Sequence, residues 1–206
     1  MLKLWGRVNS INVQKVLWAL DELKLPYERT DAGLQFGVVN EPFYRKMNPN
    51  GRVPTIDDDG FVLWESNAIV RYLSAKHGAG TLWPNDLRQR GDADRWMDWA
   101  SVTLSPPMTP VFWGLVRTPP EKRDLKAIEE GAKKLGEAFQ VLEQSLDGRQ
   151  YVGGAAFTMG DIPVGVYVYR WNALDVPRPK LPKVEAYYRR LQQRPAFKKR
   201  VMLPLS

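Results

Sequence analysis

Apolar positions in the first 77 residues change period several times. Leu2, Leu4 and Trp5 form a short apolar run of strand type. From Asn12 to Lys24 the apolar residues Val13, Val16, Leu17, Leu20 and Leu23 recur at spacings of three and four, one face of a helix. Leu25-Pro26 ends it, and Tyr27 to Thr30 can form a second strand. Glu41 to Met47 has the length of a short helix, and the turn sequence NPNG follows. Val53 to Ile56 and Phe61 to Trp64 then read as two strands joined by turn chemistry at Asp57 to Gly60. Glu65 to Lys76 is helical again, with Ala68, Ile69, Tyr72 and Leu73 on one side. The order βαβαββα predicts a small mixed sheet, a parallel crossover first and an antiparallel hairpin second.

Gly78, Gly80 and TLWPND interrupt the pattern as a linker, residues 78–85. No strand is expected beyond it. One long helix is predicted from Asp86 to about Arg117, bent near Pro106-Pro107, and a second from Glu121 to Leu146. FTMGDIPVGVYVYRW begins a third, KVEAYYRRLQQR forms a fourth, and Ala196 to Arg200 a short fifth. The expectation is an α/β domain over residues 1–77 and an all-α domain over 86–206. Thr158 and Asp161 have capping-box spacing, with Phe157 and Ile162 placed for a hydrophobic staple, so Asp161 is read as a helix cap and not as a catalytic carboxylate.

Composition narrows the function classes. The 206 residues are 44% hydrophobic and 26% charged, ordinary for a globular chain. No apolar run reaches the length of a membrane helix, and the N-terminus lacks a signal-peptide core, so no membrane insertion is expected. With no cysteine, the chain has no disulfides or thiolate nucleophile of its own, which fits a cytoplasmic protein. The net charge of +7 raises nucleic acid as a partner, but the excess is local: residues 178–206 carry 9 basic and 1 acidic side chains. That stretch reads as an amphipathic helix, a proline stop and a solvated basic end, not a groove reader. The single histidine, His77, suits the negative end of a helix dipole, and Asp94 and Asp98 read as a solvated helix face, facing a dimer partner at most.

The chemistry concentrates around Pro54. A cis Val53-Pro54 bond would turn the Val53 N–H and C=O outward, where they can pair with the backbone of an extended peptide. Glu65-Ser66 follows at a helix start, whose free amides and hydroxyl suit a carboxylate while Glu65 takes an ammonium. A peptide clamp thus stands beside an amino-acid clamp.

NPNGRVPTIDDDGFVLWESNAIVRYL resembles the N-terminal, thioredoxin-like domain of the cytosolic glutathione transferases, and FTMGDIPV resembles the capping-box motif of their helical domain. Element order agrees with that family from end to end, and the classes the chain resembles within it are the serine-type ones, theta-, phi- and nu-like. The resemblance implies that Val53 pairs with the cysteinyl backbone of glutathione, that Pro54 is cis, and that Glu65 and Ser66 hold the γ-glutamyl group with Arg52 nearby. GVVNEPF departs from the family pattern where relatives contact the glycyl carboxylate, so no ligand is assigned there. It implies a homodimer, glutathione as the sole co-substrate with no further cofactor or metal, and a helical domain forming an apolar pocket for a small hydrophobic electrophile. Phe112, Trp113 and Arg117 are candidates for that pocket.

A free thiol titrates near 8.5, so thiolate chemistry at neutral pH needs a group that stabilises the anion. Ser10 and Asn12, between the first strand and first helix, are the candidates; both residue types also favour helix caps. The spacing from Ser10 to Val16 resembles that of the catalytic serine in the serine-type classes, with Asn12 assisting. The leading function is conjugation of glutathione to hydrophobic electrophiles. Glutathione-dependent reduction of peroxides or disulfides, and a non-catalytic binding or scaffold role, are the alternatives.

Overall fold

The computed structural model describes all 206 residues, Met1–Ser206. Strand Leu2–Trp5 (β1) leads to helix Ile11–Glu22 (α1) and strand Tyr27–Thr30 (β2). Helix Pro42–Met47 (α2), strands Thr55–Asp58 (β3) and Phe61–Trp64 (β4) and helix Ser66–His77 (α3) complete the expected order. The sheet runs β2-β1-β3-β4, with β1 parallel to β2 and antiparallel to β3. Asp58 pairs with Phe61, so the hairpin turn is only Asp59-Gly60, both at positive φ, the geometry that matches the twist of two paired strands. Asp57 and Asp58 therefore belong to the strand and not to the turn, and Pro54 precedes β3 instead of interrupting it. No ladder hydrogen bond is lost to the proline.

Helix α1 is buried on two faces. Val13, Val16, Leu17 and Leu20 meet the sheet through Leu4 and Ile56, together with Ile69 and Leu73 of α3. Trp18 and Ala19 belong to a second, larger core with the helical half, where the Trp18 ring lies 4.8 Å from Phe197 and 5.4 Å from Phe157. In α3 the buried apolar residues are Ile69, Val70 and Leu73. Ala68 and Tyr72, expected on that face, are half-buried, and the Tyr72 hydroxyl donates to Asp58 at 2.6 Å.

The long helix of the second half is interrupted. Leu87–Trp99 (α4) and Ser105–Phe112 (α5) are separated by a π turn at Ala100–Leu104, and a second π turn spans Trp113–Arg117. Pro106 and Pro107 supply no N–H to the carbonyls one turn back, at Val102 and Thr103, which lie inside the first π turn. The next helix is Leu125–Ser145 (α6), four residues later than expected because Asp124 caps it through the Ala127 N–H at 2.9 Å. Asp161–Ala173 (α7), Pro182–Leu191 (α8) and Pro195–Arg200 (α9) follow.

One charge expectation is corrected. The basic end is largely tied down: Arg194 holds Glu22 at 2.8 and 2.7 Å, and Arg200 holds Asp21 at 2.8 and 3.1 Å. Those contacts fasten α9 and the segment before it to the C-terminal end of α1, a long-range pairing that no local pattern encodes. Asp94 and Asp98 both bind Arg71, joining α4 to α3.

Asp161 is fully buried, and its carboxylate accepts from the Val152 N–H (2.9 Å), the Thr158 N–H (2.8 Å) and the Tyr187 hydroxyl (3.0 Å). Half of the expected capping box is present. The Thr158 hydroxyl turns to the carboxylate at 3.3 Å and does not accept from the helix. Replacing Asp161 with Ala removes the carboxylate that four buried donors share, so D161A should lower the unfolding free energy by on the order of 3 kcal/mol, measured by urea denaturation.

Candidate functional site

A cavity of about 560 Å³ lies where the sheet half meets the helical half. One wall comes from the loop after β1, the start of α1 and the residues before β3; the other comes from α5, the π turn after it and α7. The fold brings Ser10, Asn12, Arg52 and Val53 onto the first wall, and Phe112, Trp113 and Arg117 onto the second. Pro54, Glu65 and Ser66 do not line it directly. Ser66 joins the cavity through Asn12, to whose side-chain oxygen its hydroxyl donates at 3.3 Å. Glu65 is exposed at the start of α3 with φ 70°, outside the helical region.

The Val53-Pro54 peptide bond is cis. Neither the N–H nor the C=O of Val53 takes part in a hydrogen bond within the chain. The bend is held from behind by two buried residues. The Tyr44 hydroxyl and the Asn48 amide both donate to the Arg52 carbonyl, at 2.7 and 2.9 Å, and both meet the Thr55 hydroxyl, at 2.8 and 3.0 Å. The sequence gives Tyr44 no distinguishing signal, since it reads as one apolar position of a short helix.

Ser10 occupies the N-cap position of α1, and its carbonyl accepts the first helical bond from Gln14 at 2.9 Å. Its hydroxyl makes no capping bond, and the residue lines the cavity. Asn12 lies inside the first turn. Its oxygen accepts from Lys15 Nζ at 3.0 Å and from Ser66 Oγ, which leaves the side-chain NH₂ as its free donor.

The electrostatics of the cavity differ from the apolar pocket expected. Arg7, Arg52, Arg117 and Arg170 line it, and no Asp or Glu does. Arg170 is only 6% exposed, its guanidinium lies 3.9 Å from the Phe112 ring centre, and burial pulls its pKa down to about 10. Burial also lowers Arg117, and lowers Arg7 with help from the charge of Arg117. Phe112 is buried by this stacking, whereas Trp113 is 48% exposed at the rim beneath the Arg117 guanidinium. Lys15, fully buried behind Asn12 and 5.3 Å from the Tyr167 ring, is pushed down to about 7 by burial and then by Arg170, with Glu65 opposing. Arg170 had a visible signal, a lone cation inside the apolar run VGVYVYRW. Lys15 had none, since a lysine between two turns of an amphipathic helix ordinarily points to water.

Residues 1–75 match the family model "Glutathione S-transferase, N-terminal domain" and residues 126–190 match "Glutathione S-transferase, C-terminal domain". The sheet half, the helical half and the cavity between them define a glutathione S-transferase fold. The chain is 43% identical to glutathione S-transferase GstB of Escherichia coli (strain K12), covering 100% of both chains. It is 30% identical to glutathione S-transferase 3 of Zea mays, over 97% of this chain and 93% of that one. Among solved structures, the theta class glutathione S-transferase from Xanthomonas axonopodis pv. citri with glutathione bound superposes with a TM-score of 0.96 at 42% identity, covering 100% of this chain and 99% of that one. Glutathione transferase F7 from Populus trichocarpa gives a TM-score of 0.88 at 26% identity, with 100% of both chains covered. The chain belongs to the glutathione S-transferase family.

Lys15 yields a pH-dependent prediction. Its folded pKa of about 7 lies below the value of 10.5 expected in the unfolded chain. Between those two values the unfolded state holds a proton that the folded state has released, so this residue's burial penalty is largest below pH 7 and fades as pH rises. Lys15→Met should therefore be more stable than the parent at pH 6, by on the order of 2 to 4 kcal/mol. Urea midpoints measured at pH 6 and pH 10 should show that advantage largely gone at the higher pH.

Proposed function

We propose that the cavity binds glutathione along Val53 and presents its sulfur, as thiolate, to an electrophile seated against the helical wall. The observation that carries this is the juxtaposition of an unpaired Val53 N–H and C=O with an uncapping Ser10 hydroxyl in one cavity. An extended peptide adds to Val53 as a short antiparallel strand, and this fixes the position of its central side chain. The γ-glutamyl carboxylate takes the N-terminal amides of the helix that begins at Ser66, and the ammonium takes Glu65. Arg52 supplies positive charge along the tripeptide.

Lowering a thiol pKa by about two units requires roughly 2.7 kcal/mol of preferential thiolate stabilisation. A hydroxyl and an amide donor at a helix N-terminus are suited to that size of effect. Ser10 donates to sulfur, and the Asn12 NH₂ adds a second donor, held in orientation by Lys15 and Ser66. The thiolate attacks the electrophilic carbon, a C–S bond forms, and the leaving group departs with its electron pair. Phe112 and Trp113 contact the body of the electrophile. Proximity does the remainder, and glutathione is the only co-substrate required.

In this reading residues 1–77 form the glutathione-binding unit, residues 78–85 the linker and residues 86–206 the helical unit. The protein acts in the cytoplasm as a homodimer, as membership of the family suggests. No helix of the structure is long and apolar enough to cross a membrane.

Ser10→Ala should lower kcat/KM for glutathione by about 100-fold and move the acid limb of its pH profile toward the free-thiol value near 8.5. Asn12→Ala should do the same to a smaller extent, about 10-fold. Both variants should keep the heat-stability gain given by millimolar glutathione. A parent protein that gains no stability from glutathione would remove the reading altogether.

A further inference from the structure

The wall built by α5, its following π turn and α7 holds more positive charge than an uncharged electrophile calls for. Arg117 and Arg170 lie on it, Arg7 lines the same cavity from the loop after β1, and the charge of Arg117 acts on both of the others. Elsewhere in the chain half-buried arginines are matched by carboxylates, as Arg71, Arg194 and Arg200 are, or by close main-chain carbonyls, as Arg90 and Arg123 are. These three form no ion pair with any Asp or Glu. Arg170 makes one hydrogen bond, to the Asn9 carbonyl at 3.3 Å, and its Nε is buried without a partner. The Arg7 Nε is likewise buried and unpartnered. Arg117 donates only to a main-chain oxygen of Ser206, at 3.1 Å. Buried donors and like charges left unpaired are costly, and an anion in the cavity satisfies both at once.

We propose that the second substrate is an electrophile carrying a carboxylate, held by Arg117 and Arg170 with Arg7 lining the same cavity, its apolar body against Phe112 and Trp113. The inference deepens the conjugation reading and rests on glutathione occupying the Ser10–Val53 side. The aromatic rings keep the two guanidinium planes in place, at 3.9 Å for Arg170 over Phe112 and 4.6 Å for Arg117 over Trp113. Ser105 and Thr109 add hydroxyls to the same wall. The competing occupant is the glycyl carboxylate of glutathione itself.

Calorimetric titration with 4-methylbenzoate and 4-methylbenzamide, with and without saturating S-methylglutathione, separates these cases. The benzoate should bind about 10- to 100-fold tighter than the amide while the peptide is bound, since charge-assisted bonds to a buried cation are the difference. In Arg117→Gln and Arg170→Gln that gap should shrink to about threefold or less. Arg117 is half-buried, so its variant keeps the test open should Arg170→Gln fail to fold. Turnover gives a second readout. With 4-(chloromethyl)benzoate and its amide, thiolate attack at the benzylic carbon forms the C–S bond and expels chloride, and the ratio of kcat/KM, corrected for the uncatalysed rates, should favour the benzoate by a similar factor. Equal binding of acid and amide, or a gap that survives in Arg117→Gln, would overturn the proposal. A benzoate that displaces S-methylglutathione would also overturn it, by assigning the arginines to the tripeptide. Tight benzoate binding with neither chloride conjugated would leave the anion site standing and remove the conjugation reading.

Discussion

The structure depends on one helix being buried from both sides. Helix α1 turns Val13, Val16 and Leu17 to the sheet and Trp18 and Ala19 to the helical core, so neither half completes its interior without it. Burying apolar surface at about 25 cal/mol per Å² makes that shared helix a rigid joint. Its N-terminus opens into the cavity, and Ser10 and Asn12 are held on the first wall for that reason. The ion pairs from Arg194 and Arg200 to Glu22 and Asp21 fix the other end of the same helix. Gly165 shows how tight the joint is: a methyl group there would come within 2.8 Å of the Trp18 ring.

Around the cavity, polar groups are arranged in layers. Tyr44 and Asn48 hold the chain at Arg52 and Thr55, and this leaves the neighbouring Val53 amide groups free. Lys15 and Ser66 occupy the Asn12 oxygen, which leaves its donor free. In both places a hidden hydrogen bond decides which atom a ligand meets. The opposite wall lacks such compensation, and its guanidiniums are stacked on rings without carboxylates beside them. The two walls thus differ in kind: the sheet side sets neutral donors beside Arg7 and Arg52, and the helical side presents two guanidiniums stacked on rings.

Much of the site was legible because its chemistry is local. Val53-Pro54, Glu65-Ser66 and the Ser10 to Asn12 segment are short stretches whose backbone tendencies are set by neighbours in sequence. Ser10, Asn12, Arg52, Val53, Phe112, Trp113 and Arg117 do share one cavity. The errors fell where tertiary contacts override local tendency. A solvated tail became a set of ion pairs to α1, and an apolar pocket became an arginine-lined one.

The sequence by itself determined the order and type of elements, because apolar period and turn residues act over a few positions. It also determined that the chain would carry a proline bend followed by a helix start. Only the tertiary structure decided which charges are buried and what faces them. Lys15 and Arg170 lie 155 positions apart, yet the charge of one acts on the other, since α1 and α7 pack together. Electrostatic energy depends on distance through space and on exclusion of water, and neither is written in the spacing of residues along the chain.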